Sequence, residues 1–210
     1  MKEINGQERS YNENIAAAIK KFFEDDDWHY DFNEEEGVFK CGLAVHGKLG
    51  DVQLVVTVGS NDFTCYNILR IKASEDVRPA VAEYITRANY GLKLGNFEMD
   101  YRDGEIRYKA YDMTAASEEA PDEEVIRRCV YVGGAMVSRY GDPLLKVMFG
   151  FAEPAEAVAE AEEDVEEDSH DDDDSSEADL EDFEDFDDDD DDEEDGGDDL
   201  DENEDNEDDK

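Results

Sequence analysis

Apolar side chains recur at helical spacing in the first part of the chain, where Ile15, Ala18, Ile19, Phe22 and Phe23 share a stripe. Ser10, with Glu13 three residues on, has the form of a capping box, and Glu24-Asp25-Asp26-Asp27 closes the helix. The period then changes to two. Three strands are predicted. The first begins near Trp28 or lies in Val38–His46, where Phe39, Cys41, Leu43 and Val45 alternate with polar positions. Val52–Val58 is the second, rich in β-branched residues, and Phe63–Ile71 is the third. Gly47–Asp51 and Gly59–Asp62 are short turns, so successive strands run antiparallel.

A second helix starts near Val77 or Arg78, with Pro79 in its first turn, where a missing N–H costs nothing. Val81, Tyr84, Ile85 and Ala88 form its stripe, and Gly91 is its C-cap. Asn96–Tyr101 and Glu105–Met113 flank Arg102-Asp103-Gly104, a strong hairpin signal. Pro121-Asp122-Glu123-Glu124 opens a third helix, carried on by Val125, Cys129, Val132, Met136 and Tyr140. Gly133-Gly134 weakens such a helix; a close backbone contact there would justify the pair, and a kink is the alternative. Asp142-Pro143 is expected to interrupt it, leaving Leu144–Phe151 as a short apolar coda. The order α-β-β-β-α-β-β-α predicts an α+β fold with an antiparallel sheet.

Charge divides the chain. It has 210 residues and a net charge of −45, and from Glu153 onward there are 37 acidic residues and one base, Lys210. Residues 1–152 carry about −9, every tyrosine, Trp28 and eight of the ten phenylalanines. They are expected to form one folded domain. Residues 153–210 are expected to stay disordered, because like charges repel and little apolar surface offsets the entropy of ordering.

Little in the sequence points to catalysis. It has no GxSxG elbow, no GxxxxGK[ST] loop and no GxGxxG. His29, His46 and His170 are not spaced as metal ligands. Asp191, Glu193, Asp195, Gly196 and Glu202 match positions of a calcium loop, but no amphipathic helices flank them, so no metal site is assigned. Cys41, Cys65 and Cys129 form no CxxC pair, and neither a secretory h-region nor a membrane-length apolar run occurs. Free, mostly buried thiols in a reducing cytoplasm follow. Neither catalytic residues nor cofactors are assigned. The tail does contain Leu180, Phe183 and Phe186, spaced i, i+3, i+6 among acids, which reads as a set of docking anchors for a basic partner.

The stretch Arg87–Lys109, with Asn89, Gly95-Asn96-Phe97 and Asp103-Gly104-Glu105-Ile106-Arg107, resembles the YbjN-type family, bacterial proteins labelled sensory transduction regulators. The element order agrees with that family over about residues 10–150. The resemblance implies a fold similar to type III secretion chaperones, which are homodimers that bind extended protein segments. It brings no catalytic residues, and the acidic tail departs from the family's pattern.

Two functions fit these readings. One is a non-enzymatic, chaperone-like binding or regulatory module, working through a sheet face or a helix groove and dimerising through the second helix and the hairpin. The other is an acidic-tail protein that engages basic proteins or competes for nucleic-acid-binding surfaces. Direct nucleic-acid binding is disfavoured, since −45 repels phosphate.

Overall fold

The computed structural model describes residues 11–113 and 120–163. Asn12 starts α1 (Glu13–Asp25): its Oδ1 accepts from the amides of Asn14 (2.9 Å) and Ile15 (3.4 Å), two donors that the first turn leaves orphaned. The cap is therefore Asn12. Ser10, expected in that role, lies outside the described residues. The stripe Ile15, Ile19, Phe22 and Phe23 is buried.

Four strands follow α1: β1 (Tyr30–Asn33), β2 (Val38–Ala44), β3 (Asp51–Val58) and β4 (Phe63–Lys72). Then come α2 (Arg78–Tyr90), β5 (Asn96–Met99), β6 (Glu105–Asp112), α3 (Glu123–Met148) and α4 (Pro154–Glu163). The six strands form one sheet in the order β1-β2-β3-β4-β6-β5, every neighbour antiparallel. The protein is α+β, as the pattern predicts, with two elements more than expected. The region from Trp28 to His46 holds two strands, because Asn33 Oδ1 accepts from the amides of Glu35 and Glu36 and turns the chain there. The other addition is α4.

Burial alternates along the strands. Phe39, Val52, Leu54, Val56, Phe63, Cys65, Ile106 and Tyr108 turn to one face, under the helices. Two clusters fill that layer. One joins α1 and the first half of α3 to β2, β3 and β4; the other joins α2, α4 and the second half of α3 to β4, β5 and β6. Tyr84 ties α2 to α3 by donating its hydroxyl to the Tyr140 carbonyl at 2.7 Å.

α3 is continuous through Pro143, contrary to the expected break at Asp142-Pro143. Proline withholds only one amide, the donor that would reach the Arg139 carbonyl. Pro143 is buried, and Leu144, Val147 and Met148 beyond it are core residues, so packing outweighs the lost bond. Asp142 is occupied elsewhere, accepting from the Lys48 amide (2.7 Å) in the β2–β3 turn. At Gly133 and Gly134 there is a close approach inside a continuous helix, but it is made by side chains and not by the backbone that was expected. A Cβ at Gly133 would stand 1.8 Å from Asn67 Nδ2, and one at Gly134 2.7 Å from Leu43 Cδ2.

The expected domain edge at residue 152 falls short of the folded body. α4 packs on α2 and α3, burying Pro154, Ala157, Val158 and Ala161. Arg139 Nε donates to the Ala161 carbonyl at 2.9 Å, and Lys146 pairs with Glu160. Small apolar side chains at helical spacing thus hold this acidic segment, although its charge alone opposes ordering.

Candidate functional site

The residues that carry the family resemblance come together as architecture. Asn89, in the last turn of α2, clasps the edge strand β5. Its Oδ1 accepts from the Phe97 amide (2.8 Å) and its Nδ2 donates to the Phe97 carbonyl (2.9 Å), as a neighbouring strand would. Gly95, at φ +76°, has no room for a Cβ, which would lie 2.5 Å from the Lys109 carbonyl. Gly104, at φ +78°, would place a Cβ 1.9 Å from the Ala73 carbonyl oxygen. Beside it, Asp103 Oδ1 accepts from the Glu105 amide (3.1 Å) and shapes the hairpin turn. Ile106 is buried, and Arg107 lies 4.3 Å over the Tyr66 ring while pairing with Glu98 (2.7 Å).

The histidines and cysteines among the described residues do not converge. His29 and His46 are exposed. The backbone amide of His46 donates to Ser138 Oγ at 3.0 Å. Cys65 and Cys129 are buried and Cys41 half-buried, all three free. Burial pushes the Cys41 thiol up to about 12 and Cys129 to about 11, and raises Cys65 well above its ordinary value. They are thiols rather than thiolate nucleophiles at neutral pH. Among the described residues, no group of three or more His, Cys, Asp or Glu side chains is placed to hold a metal. One buried polar side chain stands out among them. Asn67, in the middle of β4, is 0% exposed and makes no hydrogen bond with either side-chain polar atom. It faces Gly133 of α3 with no room for another group between them. Leu180, Phe183, Phe186, His170 and the calcium-like stretch lie outside the described residues.

What the fold leaves available is the other face of the sheet. One cross-strand row reads Asp31, Lys40, Val55, Tyr66, Lys109, Asn96; the next reads Gly42, Gln53, Ile68, Arg107, Glu98. No described helix packs on these rows, and Val55, Tyr66 and Ile68 are only half-buried. The face carries five bases (Lys40, Arg70, Lys72, Arg107 and Lys109) against four acids (Asp31, Asp51, Glu98 and Glu105). Residues 11–163 as a whole hold 16 bases and 30 acids, so this face escapes the general negative charge. Glu98 serves two cations. Burial opposes its ionisation, but hydrogen bonds from Lys109 and Arg107 outweigh burial and hold its pKa below the ordinary value.

Grooves among the described residues border this sheet. One, of about 560 Å³, lies between α2 and the edge strand β5 and is lined by Ile85, Thr86, Phe97, Met99 and Tyr101 among others. Another, of about 700 Å³, lies at the β1 end, around Gly42. Sequence reasoning did not find these surfaces. The alternation shows that each strand has two faces, but only register shows which residues of different strands stand side by side.

The described residues thus form an antiparallel sheet covered by helices on one face. The family model for YbjN, described as "Putative bacterial sensory transduction regulator", matches residues 16–146. The chain belongs to the YbjN family. That description names a regulator and no reaction. A solved structure, the crystal structure of YbjN, a putative transcription regulator from E. coli, is similar with TM-score 0.38 and 7% identity, covering 64% of this chain and 88% of that one. No curated protein matches. No helix among the described residues is long and apolar enough to cross a membrane.

Proposed function

We propose that the protein is a non-enzymatic, chaperone-like binding module of a bacterial cytoplasm, which offers the open face of its sheet to a segment of another protein. The uncovered face carries this reading. Half-buried Val55, Tyr66 and Ile68 lie among Lys40, Arg107 and Lys109, a mixture suited to a peptide with both apolar and acidic side chains. In this reading the folded body extends to Glu163, and the acidic remainder is a separate functional part.

The experiment is affinity capture with cross-linking, comparing the full chain with a Tyr66→Ser/Ile68→Ser variant. Both side chains point away from the core, so the variant is expected to fold and to lose partners that the parent retains at high salt. Identical captures from parent and variant would overturn the reading.

A second reading has its own support. Residues 164–210 hold 32 acids and one base, a charge density that attracts basic proteins over a distance. Partners that vanish on deletion of this segment, and only at low salt, would belong to it. A homodimer through α2 and the β5–β6 hairpin is also proposed, supported by the apolar groove between α2 and β5 and by exposed Tyr90 and Tyr101 beside it in the chain. Light scattering in moderate salt tests it, and a monomer mass at high micromolar concentration counts against it.

A further inference from the structure

We propose that the outer border of β1 is a second docking site, where an extended segment of a partner protein, with alternating apolar and basic side chains, adds to the sheet as a further strand. This goes beyond the open-face reading and requires a partner of the opposite charge.

The border offers free backbone. β1 stands at one end of the strand order. In an antiparallel ladder, pairs that exchange backbone hydrogen bonds alternate with pairs that do not. The Val45 amide donates to the Gly50 carbonyl (3.1 Å) and the Val58 amide to the Gly37 carbonyl (3.0 Å). Odd-numbered residues of β2 therefore turn their peptide groups to β3, and even-numbered ones turn theirs to β1. Val38 and Lys40 then bond Asn33 and Asp31. That leaves the N–H and C=O of Tyr30 and Phe32 pointing outward, with no partner among the described residues. At the opposite border the equivalent groups of Phe97 are already held by Asn89.

Side chains select the occupant. Tyr30 and Phe32 lie on the helix-covered side, Phe32 stacked on Phe39 (4.2 Å between ring centres) and Tyr30 against Phe23 (5.4 Å). Trp28 joins them, packed on Phe23 (5.2 Å) and Tyr131 (5.8 Å). The three rings are only half-buried, so the core ends at this border in an aromatic ledge. An apolar side chain set opposite Tyr30 or Phe32 covers that ledge. Its neighbours along an added strand fall on the other side, beside Asp31. There the charge is one-sided: residues 24–36 hold eight acids and no Lys or Arg. Asp25 pairs with Lys21 and Asp26 with Arg127 (3.5 Å). Asp27, Asp31, Glu34 and Glu35 are exposed and have no basic partner among the described residues. Lysine or arginine at alternate positions of the bound strand pairs with these carboxylates. The same acids repel a second copy of this acidic body, so the border is open to a basic strand and closed to its own kind.

Trp28 is the single tryptophan and part of the ledge, so its emission reports on this border and not on the tail. The test titrates the full chain with a peptide of alternating lysine and valine, in excess over the protein's acidic residues, and a saturable blue shift is expected. In antiparallel addition the valines opposite Tyr30 and Phe32 make the backbone bonds. Methylating the valine amide nitrogens should therefore abolish the shift, and methylating the lysine amide nitrogens should preserve it. The reverse pattern makes the added strand parallel and upholds the site. Equal effects of the two methylations, or no shift with the unmodified peptide, overturn the proposal. Asp31→Lys, on the exposed side of β1, is expected to raise the midpoint about fivefold at low salt. Glu75→Lys makes the same change of net charge at an exposed carboxylate ahead of α2 and should leave the midpoint where it is. Equal weakening by the two makes the attraction general to the body and also overturns the proposal. Partner capture through Tyr66 and Ile68 is a separate readout, so failure here leaves the open-face reading standing.

Discussion

The two faces of the sheet are built from alternate residues of the same strands, yet they meet opposite demands. On the covered face, Leu54, Asn67 and Tyr108 stand in one row, all 0% exposed, with α3 lying so close that Gly133 can carry no side chain. One residue along, Val55, Tyr66 and Lys109 are half exposed and nothing described lies over them. On the first face a single methyl group is expected to be felt throughout the layer. On the second, the substitution of Gly42 by a larger residue meets open space. A sheet face that is neither packed nor wholly polar is free to be shaped by what it binds.

The largest test of that contrast removes part of the helical layer. A chain ending at Ala152 loses the buried Ala157, Val158 and Ala161, at a cost of about 3–5 kcal/mol. A chain ending at Asp172 keeps them and should match the full protein. Urea unfolding midpoints measure the difference, and equal midpoints for the two truncations would mean that α4 contributes nothing to the core.

A smaller effect is expected at the glycine beneath which Asn67 sits. Gly133→Ala gains about 1 kcal/mol of helix propensity but drives a methyl into the Asn67 amide, for a net loss of about 2 kcal/mol. Adding Asn67→Ala should recover most of it, since it removes both the clash and an amide without hydrogen bonds. Strict additivity in chemical denaturation would contradict the contact.

The smallest effect belongs to the open face. The pKa of Glu98 is depressed in the folded state, so its contribution is present above the unfolded carboxylate pKa and is lost as pH falls through the folded value. Glu98→Gln should therefore cost less than about 1 kcal/mol at pH 7. The gap from the parent should close under acidic conditions. A gap in thermal midpoint that is constant with pH would show that the carboxylate's charge is not what matters.

Much of the fold is legible where local chemistry decides it. Pro79 and Asp103-Gly104 mark boundaries through fixed backbone preferences, Gly91 ends α2 in an ordinary backbone conformation, and α2 and the hairpin lie where they predict. β1 is harder to read, since four residues with two aromatic rings scarcely establish a period. α4 is obscured for a different reason. Its buried side chains, Pro154, Ala157, Val158 and Ala161, are small enough for the surrounding acids to dominate the composition, although the last three have helical spacing. Pro143 misleads because propensity is local and burial is not. The site is the least legible part. Lys40, Val55, Tyr66 and Lys109 come together only through strand register, which a one-dimensional pattern does not encode.

The Asn89 clasp bears on how copies of this protein can assemble. A sheet grows into an open-ended ribbon only if each of its two borders accepts a newcomer's backbone. Along β5 the Phe97 peptide already bonds to a side chain, so that border is corked. At that peptide a newcomer's backbone finds no free donor or acceptor, whereas the β1 border carries no such clasp among the described residues. A side chain that mimics a neighbouring strand thus acts as a guard on one border of the sheet, lowering its appetite for other copies without adding a strand of its own.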